Sequence, residues 1–535
     1  MGKAGILAAA VVVVLGGGYL GAAVYSGGAV RAKYEAEMDN VSQTLPFIKI
    51  VDPKYDKGLL SSTATYGLRI GCDPQEAGQE AGGQEEGGSA KSVTITLSNS
   101  IAHGPFPDFD GVGLARIDTR IVLPPEAPEA LRKWVGGMKP DAIRTVIGFD
   151  DTATTRIELP AGEVKEDEGS LRWQAIRASA RMNGARTRLN YDIDVPEVAF
   201  DHSEAGETSS LKLVNLRLHS DSELGNSLLL AGGTGTGSLD SMQFTAAKAG
   251  LSVDLNQVKL TSSAKTENDL LGGTSSLTGV LGVKVGERVF KFDPIEMQVS
   301  MKRIHAPTMQ KISLGFWQEL GNICRKTPAE LAKSMEGKQA AMLLGMRDLL
   351  VYNPEYSLDK IALTYEGKEG TFAYSVAANG VTSEDLQQSD PRALLGKATL
   401  KASAKLPVAW LEKIVAEIKG GQASPQEIQA QIEGGLAPLV QAGYVTREGE
   451  YISSSAAFEH GQVTVNGKPF DQRALGMAPV QKQPEQDGET APPPSQPEHG
   501  GEAAPPPNQP EHGGEATPPP SQPEQGGGEE KKDQD

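Results

Sequence analysis

The residues able to do chemistry are few and far apart. His103-Gly104-Pro105-Phe106-Pro107 sets an imidazole beside a turn in which two prolines fix φ and remove two backbone donors. A histidine so placed can act as a general base, but no neighbouring nucleophile completes a set, and the motif reads as a rigid corner. In that reading His103 bonds a neighbouring carbonyl and Phe106 wedges into the core. Asp108, Asp110 and Gly111 share the opening of a calcium loop and lack its later carboxylates. The stretch from Gly232 to Gly237 has the glycines of a phosphate loop without its lysine, so a hairpin connection is the better reading. His103, His202, His219, His305 and His460 are not paired at metal spacing. GxSxG and HExxH signatures do not occur. The expectation is a chain with no catalytic residue, cofactor or metal.

Cys72 and Cys324 are the only cysteines, and two thiolates without partnered histidines are too few for zinc. They are candidates for one disulfide, which requires Cα atoms within about 7 Å.

The elements that must position these residues are mostly strands. Ile295, Met297, Val299 and Met301 alternate with polar residues, as do Leu251, Val253 and Leu255, and then Leu281, Val283 and Val285. Each such strand has one apolar face, as in an antiparallel meander over a core or around a groove. Polar, Gly-rich stretches at 201–209 and 231–238 read as connections. A helix is expected over Pro128 to Met138. From Thr308 to Leu350 the period becomes helical, with Ile312, Phe316, Trp317 and Leu320 on one stripe and a second helix from Pro328. A further helical pair spans Val408 to Ala442, broken at Gly420, Gly421 and Pro425. Strand-like 453–458 and 462–465 follow, with turns at His460-Gly461 and Asn466-Gly467.

Residues 4–25 form an uncharged apolar run, about 33 Å long as a helix and able to cross a bilayer. The short leading tail favours an uncleaved signal anchor with the body outside the cytoplasm. Small residues at Gly27-Gly28-Ala29 leave a cleaved signal as the alternative. Gly17 and Gly21 form a GxxxG, a candidate face for helix dimerisation and hence for a homodimer. Net charge is −18, and residues 481–535 hold 12 acidic against 3 basic side chains. The remaining body lacks the basic stripe that nucleic-acid binding needs, so nucleic acid is excluded as a partner. Residues 74–91 are a low-complexity insertion. The tail repeats Gln-Pro-Glu every 13 residues from Gln483, with proline triplets between copies, and is expected to be disordered.

The apolar leader, the HGPFP string after the Val93 to Leu97 strand, the Trp317 region and the ending from Phe458 to Lys468 together resemble the YdgA-like family of Gram-negative envelope proteins, a domain of unknown function. Gly58-Leu59-Leu60-Ser61-Ser62 is a weaker local match. The resemblance covers about residues 1–478. It implies a single-pass inner-membrane protein with a periplasmic body, and it transfers no catalytic residue.

The expected fold is therefore α+β: a transmembrane anchor at 1–30, a β-rich region at 31–305, a helical region with a C-terminal hairpin at 306–478, and a disordered tail at 479–535. The expected function is non-enzymatic, binding or scaffolding an envelope protein or other component. The alternative is a periplasmic carrier of lipid or another hydrophobic ligand in a β-lined groove. A hydrolase with an unrecognised site is the third and weakest reading.

Overall fold

The computed structural model describes residues 48–70, 93–107, 112–166, 169–204, 207–225, 230–313, 347–387, 394–419 and 423–470. Residues 4–25 with Gly17 and Gly21, Cys72, Cys324, the 74–91 insertion, Asp108, Asp110, Gly111, Trp317 and the repeat tail lie outside these. Among the described residues no helix is long and apolar enough to cross a membrane.

The α+β expectation is corrected. The described residues form one antiparallel sheet of 22 strands, with helices serving as short connections and not as a layer. Residues 355–365, 368–378 and 398–407, inside the region expected to be mainly helical, are strands, and the glycine-rich 231–238 stretch lies within a strand, while residues 306–313 are helical as expected.

Nine shorter strands come first: β1 (Ile48–Lys57), β2 (Ser61–Ile70), β3 (Val93–His103), β4 (Ala115–Val122), β5 (Ile143–Ile147), β6 (Ala153–Leu159), β7 (Gly162–Glu166), β8 (Gly169–Trp173) and β9 (Ile176–Met182). Six long ones follow: β10 (Arg188–Glu204), β11 (Glu207–Leu224), β12 (Leu230–Ala246), β13 (Leu251–Glu267), β14 (Leu270–Val285) and β15 (Arg288–His305). The sheet is completed by β16 (Glu355–Tyr365), β17 (Lys368–Ala378), β18 (Ala398–Pro407), β19 (Thr446–Glu448), β20 (Tyr451–Glu459), β21 (Gln462–Val465) and β22 (Lys468–Pro469).

The topology is a meander. β1 to β6 pair in sequence, β6 pairs β9, and β7 with β8 extends the same two ribbons so that β8 and β9 share one edge of β10. From β10 to β18 every strand pairs with the next. Tight turns reverse the chain: His460 (φ 53°) and Gly461 (φ 76°), then Asn466 (φ 49°) and Gly467 (φ 74°), adopt the left-handed pairs that suit a two-residue hairpin.

Helices fill the gaps. α1 (Glu129–Gly136) buries Leu131, and α2 (Ser383–Gln387) is a single turn. α3 (Val408–Ile418) and α4 (Pro425–Ala442) separate β18 from β19. Ser424 caps α4 through a reciprocal box: the Ser424 amide donates to Glu427 Oε2 at 2.8 Å, and the Glu427 amide donates to Ser424 Oγ at 3.3 Å.

The packed core lies at the N-terminal end. Tyr66, Leu68, Ile95, Leu97, Ile121, Ile143, Ile157 and Leu159, drawn from β2 to β6, form one buried cluster. Five successive strands contribute to it, and each of its side chains is less than 10% exposed. Trp134 of α1 packs against this cluster and meets Trp173 edge-on at 4.9 Å, both indoles donating to the Pro160 carbonyl. A second cluster, with Ala64, Ile101, Ala115, Ile117, Ile147 and Ala153, continues the core. Burial and full enclosure push the Tyr66 hydroxyl up to about 12.

Candidate functional site

The apolar face that closes into a core at β2 to β6 does not end there. It runs on across the long strands, where it opens. The register ties one row of side chains together: Ile157, Ala178, Ile193, Leu218, Gly237 and Leu260 are successive cross-strand neighbours. Leu277, Met297, Ile361, Phe372 and Ala404 continue it. The row crosses eleven strands; at the usual strand spacing it is about 48 Å long.

Parallel rows flank it. Val198, Leu213, Met242, Leu255, Leu281 and Phe292 form one, and Val299, Leu358, Tyr374 and Ala402 another. Along these three rows the register positions hold no Asp, Glu, Lys or Arg; Glu204, Glu207, Arg288 and Lys368 stand on the same face at the strand ends.

Strict alternation would not keep so many long strands apolar on one side. The parity slips by one residue within Val195/Val198, Leu213/Leu216, Leu239/Met242, Leu255/Val258, Phe292/Ile295 and Leu358/Ile361. These slips coincide with breaks in the ladder, and Asn215 (φ 52°) and Gln257 (φ 52°) absorb the extra residue in left-handed backbone. Each bulge restores the apolar set to the same face and adds bend to its strand.

The opposite face is polar and cross-linked by ion pairs between neighbouring strands. Asp194 meets Arg217 at 3.5 Å, Glu197 meets Lys212 at 3.3 Å, and Glu296 meets Lys360 at 2.8 Å. The bond from Lys360, helped by Gln298, holds the Glu296 carboxyl below its ordinary range. His219 and Asp192, 2.7 Å apart, belong to this face.

A groove of about 710 Å³ crosses the long strands at the first row, and its lining takes in polar-face residues on either side, among them Arg156, Glu158, Asp194, Arg217 and Lys259. A groove of about 480 Å³ crosses β16 to β21 and is lined mainly by polar-face positions such as Ser375, Lys401, Ser403 and Glu459. Gly237 brings two strands' side chains together on the apolar face, since a Cβ there would come within 3.1 Å of Leu218 Cδ2. Exposure separates the apolar face of the long strands from the core: Leu97 is 1% exposed, whereas Leu260 is 38% and Phe372 41% exposed. One corner is covered. Trp410 of α3 lies over Gly370, whose Cβ would sit 2.5 Å from the indole, and meets Tyr365 at 6.4 Å.

The Gly232 to Gly237 stretch, expected as a connection, lies inside β12, pairing with β11 from Gly232 and with β13 from Gly233. The 201–209 stretch likewise belongs largely to β10 and β11.

The HGPFP motif sits away from this face, at the end of β3. His103 Nε2 is 3.0 Å from Ser62 Oγ, and Nδ1 is 3.3 Å from the Leu59 carbonyl. The Gly104 amide donates to the Leu114 carbonyl at 2.6 Å, and a Cβ on Gly104 would lie 1.9 Å from the Gly113 oxygen. Phe106 does not enter the core, being 58% exposed; Pro107 is the residue fully buried. The motif thus joins the 58–62 segment to the β3–β4 connection, and among the described residues the one hydroxyl bonded to His103 is that of Ser62. Among the described residues no three His, Cys, Asp or Glu side chains converge as metal ligands.

Residues 1–472 match the model of a family described as "Bacterial protein of unknown function (DUF945)". The chain belongs to this family. No curated protein and no solved structure matches it.

Proposed function

We propose that this protein is a non-enzymatic binder of a long apolar ligand, the acyl chain of a lipid, which lies along the half-exposed apolar face of the long strands. One observation carries the reading: a register-matched apolar face that is packed shut at β2 to β6 and half-exposed from β10 to β18. A face built only to make a core would be covered to the same degree along its length. Exposed apolar area of this extent is unfavourable in water unless something occupies it. An elongated apolar surface whose central rows carry no charge suits a flexible hydrocarbon, which needs no hydrogen-bond partners.

The setting proposed is the bacterial envelope, with residues 4–25 as an inner-membrane anchor and the sheet on the periplasmic side, as the YdgA-like resemblance implies. Such a protein would hold lipid beside the membrane that its leader enters.

The test is organic extraction of the purified full chain followed by mass spectrometry. The expected result is co-purified lipid in stoichiometric amount, displaced by added palmitate and reduced in Leu218→Asp. Lipid-free protein that also fails to bind palmitate would overturn the proposal.

A further inference from the structure

The apolar side chains most open to solvent lie away from the face of the long strands. Leu59 at 93% and Leu60 at 78% are the two most exposed large apolar residues among those described, and Phe106, Val112 and Phe149 are each more than half exposed. These five occupy the β1–β2, β3–β4 and β5–β6 turns. An antiparallel meander brings alternate turns to one end: Lys57 pairs with Ser62, Ser62 with Ile101, His103 with Ala115, and Ala115 with Ile147. The backbone ties them together. The His103 amide donates to the Leu60 carbonyl at 2.9 Å, the Gly113 amide to the Pro105 carbonyl at 3.1 Å, and the Leu114 amide to the Ile147 carbonyl at 2.8 Å. The 58–62 and 103–107 motifs, which have no part in acyl binding, thus build one apolar tip at the end of the buried clusters.

Exposed apolar groups gathered in this way mark an interaction site. Side chains that stand out singly on turns offer no flat area for a folded partner to match, whereas the boundary between headgroups and acyl chains takes apolar residues without a complementary shape. The charges around the tip narrow the choice further. Lys57 stands next to Asp56, and Asp150 and Asp151 follow Phe149, so no basic cluster is present to select an anionic headgroup. The Asp150 carboxylate is turned into its own loop, accepting from the Thr152 amide at 3.1 Å and the Thr152 hydroxyl at 2.8 Å. Reach is sufficient. Residues 26–47 extend to at most about 75 Å and the ten residues of β1 to about 33 Å, so a leader held in a bilayer can join Ile48 while the far end of β1 touches the same surface.

We infer that the tip formed by Leu59, Leu60, Phe106, Val112 and Phe149 docks the body on a zwitterionic lipid bilayer, its side chains entering the boundary between headgroups and acyl chains. This rests on the envelope setting proposed above, in which residues 4–25 enter the membrane. Tip and leader then hold the N-terminal core against the bilayer at two points, and the HGPFP corner serves to present the apolar side chains.

The experiment reconstitutes the full chain in phosphatidylcholine vesicles with photo-reactive benzoylphenylalanine at one position at a time, and adducts are identified by mass. Lipid adducts are expected at Leu60, Phe106 and Phe149, and none at Glu126 or Lys139, exposed residues of the β4–β5 connection at the opposite end of these strands. Gly28, just after the leader, reports insertion of the anchor. Leu59→Asp combined with Leu60→Asp, its folding checked by circular dichroism, is expected to lose the Phe106 adduct. Adducts at Gly28 without any at the three tip positions overturn tip docking and leave the anchor standing. None at Gly28 overturns the anchor reading and the docking with it. Equal yields at Glu126 and Lys139, tip adducts to a second copy of the chain in place of lipid, or a Phe106 adduct that survives in the folded double variant would each overturn the inference.

Discussion

The same substitution made at two points of one sheet face should cost unequal amounts. Leu97→Ala removes a side chain 1% exposed from the middle of the buried cluster and leaves a cavity, for which about 2–5 kcal/mol is expected. Leu260→Ala removes the same three carbons from a side chain 38% exposed. At about 0.8 kcal/mol per buried carbon, scaled by the fraction covered, the loss is roughly 1.5 kcal/mol, with no cavity term because the side chain is already open to solvent. The assay is urea unfolding of the ligand-free chain by tryptophan fluorescence. Repeated with palmitate, wild type should gain stability by mass action, and Leu260→Ala should gain less. Equal costs for the two variants in ligand-free protein would refute the reasoning, since they would mean that the face over β13 is packed as tightly as the core.

Other consequences follow from single contacts. Asp385 is held down to about 2, first by the Lys397 ammonium and then by the Thr382 amide and hydroxyl. Its stabilising effect is present above the ordinary carboxylate value of 3.8 and is lost as pH falls through about 2; Asp385→Asn should flatten the acid limb of a pH series of unfolding midpoints, and an unchanged limb would contradict this. Gly104→Ala forces a Cβ onto the Gly113 oxygen and should lower the melting temperature far more than His103→Ala, as thermal melts would reveal. Ser424→Ala removes the cap of α4 at a cost of about 1 kcal/mol, seen as faster amide exchange in its first turn.

Much of the sheet was legible. The alternation at Ile295 to Met301 and the Asn466-Gly467 turn are visible in the sequence because period two and left-handed turn residues follow directly from backbone geometry. The glycines at 232–237 misled because glycine normally marks a turn; here it lies in β12 and makes room for Leu218 and Leu260. The step from Leu213 to Leu216 looks like the end of an alternating strand, and only the ladder reveals a bulge that keeps both leucines on one face. At the HGPFP corner, composition does not say which apolar residue turns inward. The tight approach of Gly104 to Gly113 and Leu114 goes with burial of Pro107 and exposure of Phe106. Whether an apolar face is packed or open to solvent is invisible in sequence, since both demand the same pattern.

The most direct measurement of the central claim places a photo-crosslinking benzoylphenylalanine at single positions of the full chain in membranes. Leu218, Leu260 and Phe372 probe the apolar face, while Lys212 and Lys259 probe the polar one. The account predicts lipid adducts, identified by mass, from the first three and none from the two lysine positions. Lipid adducts distributed equally over both faces, or none from Leu218, Leu260 and Phe372, would contradict it.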